Sequence, residues 1–178
     1  MVRSLSKAVP GKARRHLATI LAAGVVLLVS SCGFHLRGEV DVPFENVYVQ
    51  SAATSQFGTE LRRVFERSNT VELTDAAKDA EVVVQIIDEQ QVQEILSISP
   101  AGSVNEYQLL YRVSYRVMNS QMEEIAPSDE IRVRRDLTYD DTQTLGKESE
   151  VQLLFRDMRD DAVQQLMRRL SVVVTTSA

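Results

Sequence analysis

Apolar and polar residues alternate most regularly between positions 107 and 117. Tyr107, Leu109, Tyr111, Val113, Tyr115 and Val117 take one side, and Gln108, Arg112, Ser114 and Arg116 take the other. A period of two over this length predicts a strand with one buried face. The pattern repeats downstream, where Ile131, Val133, Leu137 and Tyr139 alternate with Arg132, Arg134, Asp136 and Thr138, after a turn region from Asn119 to Ser128. Upstream, Val82, Val83, Val84, Ile86 and Ile87 form a β-branched run. Val92, Ile95 and Ile98 continue it toward a turn at Pro100-Ala101-Gly102-Ser103, and the polar break at Asp88–Gln91 predicts a bulge or a strand that outruns the core. Val47 and Val49 mark a further short strand.

Two segments follow the helical period instead. Phe57, Leu61, Val64 and Phe65 recur at three- and four-residue spacing behind a Thr54 or Ser55 cap, with Asn69 at the end. Val151, Leu154, Phe155, Met158, Ala162, Leu166 and Leu170 trace a longer stripe. Acidic Glu148 and Glu150 lie near its start and Arg168 and Arg169 in its last turn, as the helix dipole favours. The order β-α-β-β-β-α predicts an α+β fold, a two-layer sandwich in which two helices cover one face of a four-stranded mixed sheet. The opposite face then carries Gln108, Arg112, Ser114, Arg116, Arg132 and Arg134, polar and partly basic.

The first 31 residues differ in kind. Five cations, Arg3, Lys7, Lys12, Arg14 and Arg15, and no acid precede or border an apolar run from Leu17 to Val29. Thirteen residues are too few for a bilayer span, which takes about 20, so residues 1–31 read as a cleaved secretory signal. Val29-Ser30-Ser31-Cys32-Gly33 resembles a bacterial lipobox, and Cys32 is the chain's single cysteine. Cys32 is therefore the expected lipidation site, bearing an N-acyl and an S-diacylglycerol group. Because one acyl chain holds a membrane only marginally, several make a stable anchor. Residues 32–46 read as lipidated N-terminus and tether, 47–171 as the folded domain and 172–178 as a tail.

Charge narrows the partners. The chain has 20 basic and 25 acidic residues; removing the five signal cations leaves 15 against 25, a net −10 that argues against nucleic acid. Past the signal His35 is the lone histidine, three residues from the lipid site, and no nucleophile elbow or phosphate-binding glycine loop is present. No enzyme, metal or cofactor is expected beyond the covalent lipid. Asp157, Asp160 and Asp161 fall on the far side of the last helix from its stripe and read as a solvated acidic face. Arg132, Arg134 and Arg135, with Lys147 beyond them, are the densest basic segment; they either guard a sheet edge or grip phosphate or carboxylate.

Cys32-Gly33-Phe34-His35-Leu36-Arg37-Gly38 resembles the mature start of the LptE family, lipopolysaccharide-assembly lipoproteins of Gram-negative outer membranes. Glu106-Tyr107-Gln108, the segment from Arg134 through Asp140 and the helix end from Gln164 to Leu170 resemble it too, in the family's order. The resemblance implies an outer-membrane lipoprotein that plugs the LptD β-barrel, helps it assemble and takes part in inserting lipopolysaccharide at the cell surface. It also implies lipopolysaccharide contact at Lys147, which matches a basic family position, and Arg134 is the second candidate. The turn at Ser99–Ser103, where the family has a basic contact, holds no cation here. The competing reading is a freestanding periplasmic lipid-binding lipoprotein serving another transporter.

Overall fold

The computed structural model describes residues 42–138 and 144–173. In chain order the elements are β1 (Asn46–Gln50), α1 (Gln56–Glu66), β2 (Glu72–Leu73), a 3-10 turn (Ala77–Asp79), β3 (Val82–Ile98), β4 (Val104–Met118), β5 (Glu124–Thr138) and α2 (Thr144–Leu170). The strands form one mixed sheet ordered β2-β1-β3-β4-β5. β1 runs parallel to β2 and β3, and β3, β4 and β5 are antiparallel neighbours. The α+β reading holds with five strands instead of four. β2 has only two residues, too few to show a period; backbone bonds from Glu72 to Glu45 (2.7 Å) and from Thr74 to Val47 (2.8 Å), beside buried Val71, make it a strand.

Both helices lie on one face and share the core with the inward side chains of the strands. Phe57, Leu61 and Phe65 from α1 and Phe155, Met158, Ala162, Leu166 and Leu170 from α2 pack with Val47, Val49, Val84, Leu109, Tyr111, Val113 and Ile131. Each fully buried large apolar side chain contributes about 1.5–3 kcal/mol. Ser55 caps α1, its hydroxyl accepting from the Gly58 amide at 2.9 Å. The helix-free face is not wholly polar: Ala80, Val83 and Met118, with Tyr48 and Ala77, form a small apolar cluster beside the 3-10 turn.

Two boundaries differ from the sequence reading. The stretch 32–46 read as tether overlaps the fold at its end, because Phe44 is buried against Phe65 (ring centroids 6.5 Å apart) and β1 starts at Asn46. The turn read as Asn119–Ser128 is shorter, with Met122 in the left-handed region (φ 65°) and β5 starting at Glu124. Pro127 and the polar residues around it hid this part of β5. As an edge strand β5 tolerates proline, and the pairing skips Pro127 and Ser128 as a bulge. Cys32, His35, Tyr139, the signal and the residues beyond Val173 lie outside the described residues. Among the described residues no helix is long and apolar enough to cross a membrane.

Candidate functional site

β3 and β4 are much longer than β1, which pairs only with Val82–Gln85 of β3. Beyond a bulge between Ile86 and Asp88, β3 therefore continues without a neighbour on its outer side. The bulge exposes Ile87 and reverses the parity of β3, so that Glu89, Gln91, Gln93 and Ile95 oppose the inward residues Val113, Tyr111, Leu109 and Tyr107. Glu89, Gln91 and Gln93 thus put polar side chains on the helix-side face where the core thins.

Glu89 joins three elements. Its carboxylate accepts from the Ser55 hydroxyl (2.6 Å), the Phe57 amide (3.2 Å to each oxygen) and the Tyr111 hydroxyl (2.6 Å). A negative charge from β3 thereby satisfies the first turn of α1, where the helix dipole stabilises it. Burial, reinforced by the hydrogen bond to Glu89, pushes the Tyr111 hydroxyl far above the ordinary tyrosine range. Burial also raises Tyr115, whose oxygen accepts from Arg169 Nη1 at 3.3 Å.

Past Gln91, which still lies beside the cap of α1, the hairpin faces the start of α2. There Gln93 and Tyr107 from the sheet and Lys147, Val151, Gln152, Leu153 and Arg156 from the helix line an open cleft of about 740 Å³. Ile95 lies across from Tyr107 and, with Leu96 and Ile98 near the hairpin tip, is about half exposed (55%, 48% and 58%). Leu153 is exposed to the same extent, at 54%. Two cations beside apolar surface suit an amphiphile with an anionic head. Lys147 Nζ is held 2.8 Å from Glu150 one turn along the helix, with a fifth of its side chain exposed. A pair of this kind contributes little and yields readily to a stronger anion.

The structure separates the residues of the basic segment. Arg135 opposes inward-facing Leu109 and pairs with Asp161 of α2, so it serves the helix-sheet contact. Arg134 opposes Leu110, between inward Leu109 and Tyr111, and therefore points from the other face, with Arg132. Lys147 and Arg134 lie on opposite sides of the sheet and cannot form one contact point. The tip turn is closed by Ser99 and Ser103 (backbone bond 2.7 Å), with Gly102 at φ +89°.

On the acidic face of α2, Asp160 is raised by partial burial and then by Glu60, while Arg156 and Arg159 oppose the shift. Among the described residues no three histidine, cysteine or acidic side chains are grouped to hold a metal. Glu89 and the hairpin cleft escaped the sequence reading, since each is assembled across elements; the polar break at Asp88–Gln91 was their only trace.

A family profile described as LptE, lipopolysaccharide-assembly, matches residues 42–170. The LPS-assembly lipoprotein LptE of Yersinia enterocolitica is 33% identical over 165 residues, covering 89% of this chain and 78% of that protein. The protein of the same name from Photorhabdus laumondii is 29% identical, covering 90% and 88%. Among solved structures, lipoprotein B from Nitrosomonas europaea matches with TM-score 0.68 and 38% identity, covering 78% of this chain and 90% of that one. Rare lipoprotein B from Shewanella oneidensis matches with TM-score 0.61 and 31% identity, covering 71% and 93%.

Proposed function

The chain belongs to the LptE family of lipopolysaccharide-assembly lipoproteins, and from this premise we propose that it is anchored to the outer membrane through lipid on Cys32 and plugs the LptD β-barrel. The observation that carries the reading is the family match across every described element from β1 to the end of α2. A barrel lumen is polar, and a compact domain with one polar sheet face suits such a space. In this role the protein performs no catalysis. It supports folding of the barrel and hands lipopolysaccharide toward the cell surface.

Within that reading the hairpin cleft is the lipopolysaccharide contact. Lys147 and Arg156 would meet phosphate, while Ile95, Tyr107 and Leu153 would cover apolar portions of the lipid. Exposed isoleucines and leucines on an otherwise charged molecule mark such contacts. The turn without a cation leaves Lys147 as the family-matched basic contact of this chain.

Depletion of the protein in its own cell tests the reading. Folded LptD should fall together with surface lipopolysaccharide, and restoring the wild-type gene should restore both. Normal levels of folded barrel after depletion would contradict it.

A further inference from the structure

The helix-free face of the sheet is organised in cross-strand rows. Asp88, Ser114 and Glu130 form an acidic row, followed by Gln90, Arg112 and Arg132, then Val92, Leu110 and Arg134, then the acidic row Glu94, Gln108 and Asp136. A basic band is thus enclosed between two acidic ones. Arg112 and Arg132 are directly opposed across β4 and β5, an arrangement of like charges that costs stability by itself.

The existing partners only partly answer these charges. Arg112 Nη2 donates to the neutral Gln90 amide oxygen, and Arg112 Nε is buried with no acceptor. Arg132 pairs with Glu130 on its own strand. Among the described residues the Arg134 guanidinium has no hydrogen-bond or ion-pair partner, whereas Arg135, one residue on, is paired with Asp161. By strand spacing and two-residue rise, the three arginines are rooted on one face within ~7 Å of their neighbours.

We propose that Arg112, Arg132 and Arg134 form a second anion site, on the opposite face from Lys147, that holds one phosphate group. Guanidinium forks match phosphate oxygens and form stronger bonds to them than to a neutral amide. The flanking acidic rows repel an extended polyanion and admit a compact group. Val92 and Leu110, between the arginines and the next acidic row, offer apolar cover to whatever carries the phosphate. If the arginines only guarded the sheet edge, Arg112 would not belong to the set, because it lies on β4, an inner strand. The identification of the carrier as lipopolysaccharide rests on the function proposed above; the phosphate chemistry does not.

Two titrations of the full protein test the site. Inorganic phosphate should shift the Nε–H resonances of Arg112 and Arg134 saturably, and Arg134→Gln should weaken that response at least fivefold without moving the melt. Purified lipopolysaccharide should bind Arg112→Gln/Arg134→Gln at least fivefold more weakly than wild type at low salt, with the difference shrinking as salt rises. Its loss should multiply with that of Lys147→Gln, as two separate subsites require. A phosphate response with unchanged lipopolysaccharide affinity supports the site and assigns its source to free phosphate. Wild-type protein that binds no lipopolysaccharide overturns the lipid reading, and the phosphate titration then decides the site alone. No arginine response to phosphate together with wild-type lipopolysaccharide affinity in the double variant overturns the proposal.

Discussion

At the scale of single residues, the strictest steric demand is at Gly58. A Cβ built there would lie 2.2 Å from Ser51 Oγ and 2.6 Å from Ser51 Cβ, so the first turn of α1 can approach the residue that follows β1 this closely only with glycine. Gly58→Ala should destabilise the domain by about 1–3 kcal/mol through overpacking, measured as a lower denaturant midpoint; an unchanged midpoint would mean that Ser51 moves aside freely. Tyr111 and Glu89 make a second point. Because burial holds the Tyr111 hydroxyl above its ordinary value in the folded state, the unfolded chain loses that proton first as pH rises past about 10. Fewer protons on the unfolded chain mean that stability falls with pH in that window, while below pH 10 the contribution is complete. Tyr111→Phe should flatten this alkaline loss. At pH 7 the same substitution should cost about 1 kcal/mol, the net value of a typical hydrogen bond. Glu89→Gln should cost about 0.5–2 kcal/mol, the range for losing a helix cap, checked by chemical denaturation at pH 7. The proposed phosphate and lipid contacts involve other residues, so neither change should alter lipopolysaccharide affinity.

At the scale of elements, the long alternating strands and both helical stripes were legible because burial on one side stamps a period on the sequence. Ser55, one of two cap candidates, is the cap, and the apolar residues read onto α1 and α2 are buried or packed against the core. What escaped was non-periodic or relational. β2 is too short to carry a pattern, Pro127 disguised the start of β5, and the sidedness of Arg135 follows from pairing with Leu109 that neighbouring Arg134 does not share. The segment Arg132–Arg135 looked like one basic patch in the chain, but a period of two divides it between the sheet's faces. The projecting β3–β4 hairpin was foreshadowed by the Asp88–Gln91 break, yet its cleft depends on where α2 starts, and Thr144 precedes the apolar stripe that made the helix visible. Since Ile95, Leu96 and Ile98 are half exposed, replacing all three with serine should change stability by no more than about 0.5 kcal/mol each. Lipopolysaccharide binding should nonetheless weaken severalfold. A large drop in melting temperature would show instead that they belong to the fold.

At the scale of the whole molecule, the proposed signal and lipidated tether would make a folded domain a membrane component. Cys32→Ala should yield unacylated protein that retains its signal, as read by mass spectrometry of the membrane fraction, and wild-type protein found unmodified at Cys32 would remove the anchor from the account. A chain beginning near Val42 should still melt cooperatively, because the core from Phe44 to Leu170 is self-contained. The proposed function stands on partnership with a barrel. Its most direct test is extraction of the tagged, full-length lipoprotein from its native membrane in mild detergent, followed by mass determination of the purified species. We expect one LptD barrel for each copy of this chain, stable to washing at moderate salt. A monomer carrying lipid, with the barrel intact and recovered separately, would contradict the account.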